Sequence, residues 1–298
     1  MSQLRLKQTD ELDGSVALVT GATSGIGFYT AFALAARGAH VFVTGRDAHR
    51  GETAASALRK RTGNCAVHFI ASDHDTIAGN RELAERVSDA AQCLNILVNN
   101  VGGAVLDRHE TVEGHEQTVA LNFLGPAALS TTLLPLLCQR PRGRIVNVVC
   151  NAYALWKGDP FRDFESRDCF RATHAFARAK LLNLLWTFAF ARRLEKCGVT
   201  ANAVDPGRAW TRGTQVLMPD LRSRRDFVWP LVREMQQRRS AAAAAKVSAY
   251  VAASSEAALH SGSYFERDGK RARPSRVARD LVLQERALQV AETWIGGA

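Results

Sequence analysis

The stretch Val16-Ala17-Leu18-Val19-Thr20-Gly21-Ala22-Thr23-Ser24-Gly25-Ile26-Gly27 decides the fold. Residues 16–20 are apolar or β-branched and read as a short buried strand, and residues 26–37 carry helical periodicity. Between the two, Gly21 permits a tight turn, Gly25 lets the backbone approach a pyrophosphate, and Gly27 allows the helix to pack close to the sheet. Thr23, Ser24 and Ile26 complete the turn. A helix starting here offers free backbone N–H groups and its positive dipole end to a phosphate. Spaced glycines alone are a common packing device, and the strand-turn-helix context gives these their meaning.

Outward from this turn, the same alternation continues. Residues 40–44, 67–72, 95–99, 144–149 and 199–204 read as further strands. Residues 52–61, 80–93, 112–137 and 171–196 read as helices. Strands separated by helices predict right-handed crossovers and an α/β, Rossmann-type doubly wound parallel sheet within one domain. The nucleotide-binding core is expected over residues 12–207, with substrate-side lid insertions at 151–175 and 208–246 and a C-terminal helix at 275–295 capped by Ser275. The segment 151–171 carries Asp159, Asp163, Glu165 and Asp168 and reads as too polar for the core.

After the second strand, a carboxylate that bonds the adenosine ribose would mark an NAD site. Thr44-Gly45-Arg46 stands there instead, and the Arg46 guanidinium can pair with a 2′-phosphate, which favours NADP(H) over NAD(H).

Composition narrows the function classes. In 298 residues, 46% hydrophobic, no apolar run reaches the roughly 18–20 residues that span a bilayer, so no membrane anchor is expected. Residues 1–11 are polar and lack the apolar stretch of a signal peptide. Six cysteines are scattered without a Cys-x-x-Cys pair, which speaks against a zinc site and suits a reducing, cytoplasmic location. The net charge of +10 would suit nucleic acid, but the arginines are dispersed and no nucleic-acid motif accompanies them. A small-molecule ligand bearing several phosphates accounts for the charge, so no nucleic-acid partner is expected.

With Asn99-Asn100-Val101-Gly102, Lys180 and Asp205-Pro206-Gly207 in order after the glycine turn, the chain resembles the short-chain dehydrogenase/reductase family along nearly its whole length. The resemblance implies that Asp73 lies near the adenine, that Asn100, Val101 and Gly102 pass beneath its ribose, and that Pro206, Gly207 and Thr211 contact the nicotinamide amide. It also implies a Tyr-x-x-x-Lys pair with a nearby serine. Lys180 and Asn122 match that machinery, whereas the tyrosine position reads Phe176 and the serine position reads Cys150.

The long separation of Cys150 from Phe176 is similar to retinol dehydrogenase-like members, which implies a bulky hydrophobic substrate. Family members assemble as homodimers or homotetramers through helices equivalent to 112–137 and 171–196. The apolar run 181–190 fits such an interface and fits equally a helix buried on the sheet.

A phenylalanine cannot donate a proton, and a thiol is a weaker donor than a hydroxyl. Candidate replacements are Tyr153 on the loop after Cys150, His174 near the start of the following helix, and the Cys150 thiolate if Lys180 lowers its pKa. Tyr29, Tyr250 and Tyr264 are expected away from the cleft. Three functional readings follow: a reductase whose substrate needs no strong acid, such as an iminium ion, conjugated alkene or activated carbonyl; a non-redox enzyme for cyclisation, dehydration or isomerisation; or a silent nucleotide-binding protein.

Overall fold

The computed structural model describes residues 11–140, 142–207 and 240–296, so Thr211, most of the 208–246 insertion and the first ten residues lie outside the described residues. One sheet contains β1 (Val16–Val19), β2 (His40–Gly45), β3 (Val67–Ala71), β4 (Ile96–Asn99), β5 (Arg144–Val148), β6 (Thr200–Val204), β7 (Tyr264–Phe265) and β8 (Arg271–Ala272). Their spatial order is β3-β2-β1-β4-β5-β6-β7-β8. Pairing is parallel throughout except for β7 with β8. The strands of the centre are buried on both faces, which is why they read as continuous apolar runs without alternation.

Helices cover both faces. On one side α1 (Gly25–Ala35), α2 (Ala48–Thr62) and α6 (Ala241–Ala253) bury Leu34, Leu58, Val247 and Val251 against Ala17, Val41 and Val98. On the other lie α3 (Ile77–Ala90), α4 (117–132), α5 (Ala172–Arg193) and α7 (Leu281–Gly296), burying Leu83, Phe123, Leu185 and Leu288 against Leu18, Leu97 and Ile145. Each such Leu or Ile contributes about 1.5–3 kcal/mol on leaving water. α5 is sandwiched between sheet and α7, and Trp186 stacks on Phe190 with centroids 4.7 Å apart. Every residue of the apolar run 181–190 is therefore buried inside one chain.

Several boundaries differ from the expected ones. α4 begins at Gln117, not at 112, and runs through a π-helical turn, Ala120–Leu124, into Gly125–Thr132. Gly114 at φ +82° turns the chain, and the Glu116 carboxylate accepts from Thr118 N and Val119 N, so the helix cannot start earlier. Ser275 caps only a short 3₁₀ turn, Val277–Arg279, by accepting from Ala278 N. α7 starts at Leu281, where the Asp280 carboxylate accepts from Val282 N and Leu283 N. β7 and β8 extend the sheet beyond the six expected strands.

The 151–171 segment is not a free polar lid. Tyr153, Phe161, Glu165 and Ser166 are buried, and the carboxylates of Asp159, Asp163 and Glu165 are tied down individually. Asp159 pairs with Arg286 at 3.0 Å, Asp163 accepts from Arg167 N and Asp168 N, and Glu165 accepts from Glu116 N and pairs with His115 at 3.0 Å. Arg178 of α5 donates to the carbonyls of Arg162 and Asp163 and to the Ser166 hydroxyl, with its guanidinium 4.9 Å from the Trp156 ring centre. Replacing Glu165 by Ala strands two buried donors, so the urea midpoint should fall by the equivalent of roughly 1–3 kcal/mol. A midpoint equal to the parent's would show that this carboxylate does not hold the insertion.

Candidate active site

Because β1 to β7 run parallel, the loops leaving their C-terminal ends share one edge, and the chain order reverses between β1 and β4. The glycine turn lies at that point. Gly21 and Gly25 both take left-handed backbone, at φ +61° and +62°. A Cβ on Gly27 would stand 2.5 Å from Asn100 Nδ2 and 2.6 Å from the Gly21 carbonyl, so this position requires glycine for the approach of two loops. Ser24 precedes α1 in extended conformation and its side chain forms no cap, leaving the first N–H groups of the helix for a ligand.

Threonines hold the turn. The Thr20 hydroxyl accepts from the backbone N–H groups of Asn100 at 3.0 Å and Val101 at 3.1 Å, and Asn100 Nδ2 donates back to the Thr20 carbonyl at 2.9 Å. The Thr44 hydroxyl accepts from Gly21 N at 3.2 Å and stands 2.7 Å from His74 Nε2. Asn80 donates through Nδ2 to two carbonyls, so its Oδ1 is the acceptor for His74 Nδ1 at 3.1 Å. His74 is thereby assigned as the neutral Nδ1–H tautomer, taking a hydrogen bond from Thr44. Sequence reading did not single out His74. Its signal is a histidine just beyond the third strand, and its partner Thr44 is remote in sequence.

Arg46 is exposed at the end of β2, close enough to Asp73 and His74 for its charge to act on both. Burial raises the Asp73 pKa and the neighbouring Asp75 raises it further, with Arg46 opposing. Thr23 packs its methyl against Gly45, closing the floor between the first two loops.

Further along the edge, Lys180 of α5 donates to the Val148 carbonyl at 2.9 Å. Burial drives the Lys180 pKa down to about 8, against a smaller opposing effect of Cys150. A Cβ on Gly102 would lie 2.7 Å from Asn122 Oδ1 and 2.8 Å from Lys180 Nζ, so the bare backbone of that loop passes directly over both side chains. Asn122 sits within the π-helical turn, a common device at functional sites. Its Nδ2 donates to the carbonyls of Gly103 and Thr118, both at 2.7 Å, and its own carbonyl accepts from Asn183 Nδ2 at 2.7 Å. Asn183, Thr187, Asn147 and Asn99 continue this buried polar chain under the site.

The Phe176 ring centre lies 5.8 Å from Lys180 Nζ, and the ring is half-buried. Burial pushes the Cys150 thiol pKa up, and this outweighs the lowering by Lys180, so Cys150 stays a neutral thiol. Tyr153 is buried, with its hydroxyl accepting from Ser275 N at 3.3 Å. Tyr264, expected away from the cleft, packs edge-on to Tyr153 with centroids 5.7 Å apart and hydrogen-bonds Asp205. The pairing of β7 beside β6 places it there, level with Ala203. Asp205 in turn accepts from Gly207 N at 2.8 Å and fixes the Asp205-Pro206-Gly207 turn. His174 is exposed in the first turn of α5, edge-on to Trp156 at 6.2 Å, and lines a pocket of about 460 Å³ that also includes Lys157, Arg162 and Asp168. Leu106 and Leu155, on the loops after β4 and β5, are 46% and 70% exposed, giving this edge an apolar rim.

Burial holds the His74 pKa down at about 4, against 6.5 when unfolded. Between those values the unfolded chain binds a proton that the folded chain refuses, so stability falls as pH drops from 6.5 to 4, by about 3 kcal/mol in total. Urea midpoints of the parent and of His74→Gln, compared across that window, should show a shallower acid loss in the variant. Parallel curves would mean that His74 does not carry the dependence.

Residues 15–155 match the short chain dehydrogenase family. The chain is 33% identical to mouse retinol dehydrogenase 12 over 289 residues, covering 96% of this chain and 88% of that protein. It is 34% identical to mouse polyprenol dehydrogenase over 279 residues, covering 92% and 81%. A crystal structure of an uncharacterised Mycobacterium paratuberculosis protein superposes with a TM-score of 0.74 at 26% identity, covering 96% and 95% of the two chains. The Pseudomonas aeruginosa RhlG/NADP active-site complex superposes at 0.66 and 26%, covering 89% and 98%. With its glycine turn, the Asn100 loop and Lys180 gathered at one sheet edge, the chain belongs to the short-chain dehydrogenase/reductase family of nicotinamide-dependent oxidoreductases.

Proposed function

We propose that this protein is an NADP(H)-dependent reductase of a bulky, apolar small molecule whose reduction does not call on a tyrosine acid. The observation that carries the reading is Phe176 standing 5.8 Å from Lys180 beside a nucleotide cradle that has kept its glycines. The bound nicotinamide supplies the hydride. Gly21, Thr23, Ser24, Gly25, Ile26 and Gly27 receive the pyrophosphate through backbone N–H groups. Arg46 pairs with the 2′-phosphate, Asp73 takes the adenine side, and Asn100 to Gly102 line the ribose. Pro206 and Gly207, with Thr211, hold the amide end. The NADP named with RhlG supports a nicotinamide cofactor here.

Without a tyrosine, an ordinary ketone loses general-acid help worth on the order of a hundred- to ten-thousand-fold in rate. An iminium ion or a conjugated alkene accepts hydride without forming an alkoxide at once, so the loss weighs less. Lys180 offers the remaining proton source, since an ammonium near pKa 8 can donate at neutral pH and stops donating as pH rises through that value. Cys150 contributes shape and a weak S–H donor. Tyr153 reads as a pocket wall backed by Tyr264, while His174 faces outward and is the weakest candidate acid. The apolar rim of Leu106 and Leu155 suits a hydrophobic substrate, as do relatives named for retinol and polyprenol.

Titration with NADPH and NADH tests the cofactor assignment. Arg46→Ala should weaken NADPH by tenfold or more while leaving NADH nearly unchanged, because it removes a charge-assisted pair that only NADPH makes. Equal losses for the two nucleotides would sink the 2′-phosphate role. The double variant Phe176→Tyr with Cys150→Ser should gain measurable reduction of model ketones over the parent, followed at the NADPH absorbance. A folded, NADPH-binding double variant with no gain would place the obstacle in the substrate pocket and overturn the tyrosine argument.

A further inference from the structure

Cys138 and Cys197 are far apart in sequence and belong to no motif, yet the fold brings them together. β5 and β6 are parallel neighbours, with Arg144 opposite Thr200, so the segments feeding them enter side by side at the N-terminal edge. Gly143 sits between these segments: a Cβ there would lie 2.6 Å from the Leu137 carbonyl and 3.1 Å from Val199 Cγ2. Leu137 immediately precedes Cys138 at a helix C-terminus, and Cys197 ends the 3₁₀ turn Leu194–Cys197 just before Gly198 turns into β6. The two side chains are near enough to act on one another, and both residues are exposed. Among the other cysteines, Cys93 is buried and Cys150 half-buried in the candidate active site.

We propose that Cys138 and Cys197 form an oxidation site that closes reversibly into an intramolecular disulfide under peroxide. In the first step one thiolate attacks hydrogen peroxide, breaking its O–O bond and leaving a sulfenic acid and, after protonation, water. In the second the neighbouring sulfur attacks the sulfenic sulfur and expels a second water. The balance is two thiols and one peroxide giving one disulfide and two waters. A small dithiol reverses it through a mixed disulfide. Desolvation and the neighbouring Cys197 thiol hold the Cys138 pKa up, at about 11, so Cys138 takes the second step, as the sulfur that closes on its oxidised neighbour. The bond would tie the end of the helix before β5 to the end of α5, whose middle carries Lys180, and so constrain the unfolded chain over the whole segment between them.

The test treats the purified full chain with hydrogen peroxide at a small molar excess, alkylates free thiols, digests it and maps peptides by mass spectrometry. The expected result is a Cys138–Cys197 cross-linked peptide lighter by two hydrogens and loss of two of the six titratable thiols. Both should be restored by dithiothreitol, and Tm should be several degrees higher in the oxidised form. Cys138→Ser and Cys197→Ser should each abolish the cross-link and the Tm shift while keeping the circular dichroism spectrum of the parent. Overturning results are a cross-link between other cysteines, a covalent dimer in place of the internal bond, or sulfinic acid at Cys138 or Cys197 with no cross-link. Retention of all six thiols at a dose that oxidises free cysteine would overturn it equally.

Discussion

Two loops leaving the sheet at β1 and β4 must touch, backbone against backbone, and the rest of the site depends on that contact. Gly27 leaves no room for even a methyl group beside Asn100, and the Thr20 hydroxyl holds two successive N–H groups of the opposite loop. The first helix can then begin close against the sheet with its N-terminal N–H groups pointing outward. From the β2 side, Thr44 and His74 brace the same turn through Gly21 N. Buried polar contacts of this kind cost dearly when one member is missing, because the remaining partner has no water to turn to. That is a sufficient reason for polar residues to stand at the ends of otherwise apolar strands.

A second dependence runs through the buried asparagine chain beneath the site. The π-helical turn moves the Asn122 carbonyl out of register with the helix, and Asn183 takes it up from α5. Asn122 and Lys180 thus sit on two helices joined at their contact point, under a glycine that lets the loop cross both. Phe176 disturbs none of this. Its ring lies beside the lysine and takes no part in these supporting hydrogen bonds.

Much of the fold was legible because its signals are local. The strand-turn-helix around Gly21 to Gly27, the order of apolar runs and the position of Lys180 each lie within a short window. The expectations that failed depended on contacts between distant segments. The start of α4 is set by Glu116 and Gly114 together with Glu165 from the insertion. The acidic residues of 151–171 looked like a solvated surface because Arg286, His115 and Arg178 come from elsewhere in the chain. Tyr264 was placed outside the cleft because a two-residue strand has too little periodicity to announce itself. The cysteines looked scattered because only the pairing of β5 with β6 makes neighbours of Cys138 and Cys197.

The bond from Ser275 N to the Tyr153 hydroxyl, with Arg286 on Asp159 and Trp294 on His115, makes the final helical stretch the outer wall of the loop that follows Cys150. If Tyr153 walls the substrate pocket as proposed, substrate scope is written partly in a region with no chemical residue of its own. Exchanging the segment from Ser275 onward between relatives would reshape the pocket from behind, leaving the nucleotide side unaltered. For redesign, that stretch is a handle separable from the reaction centre.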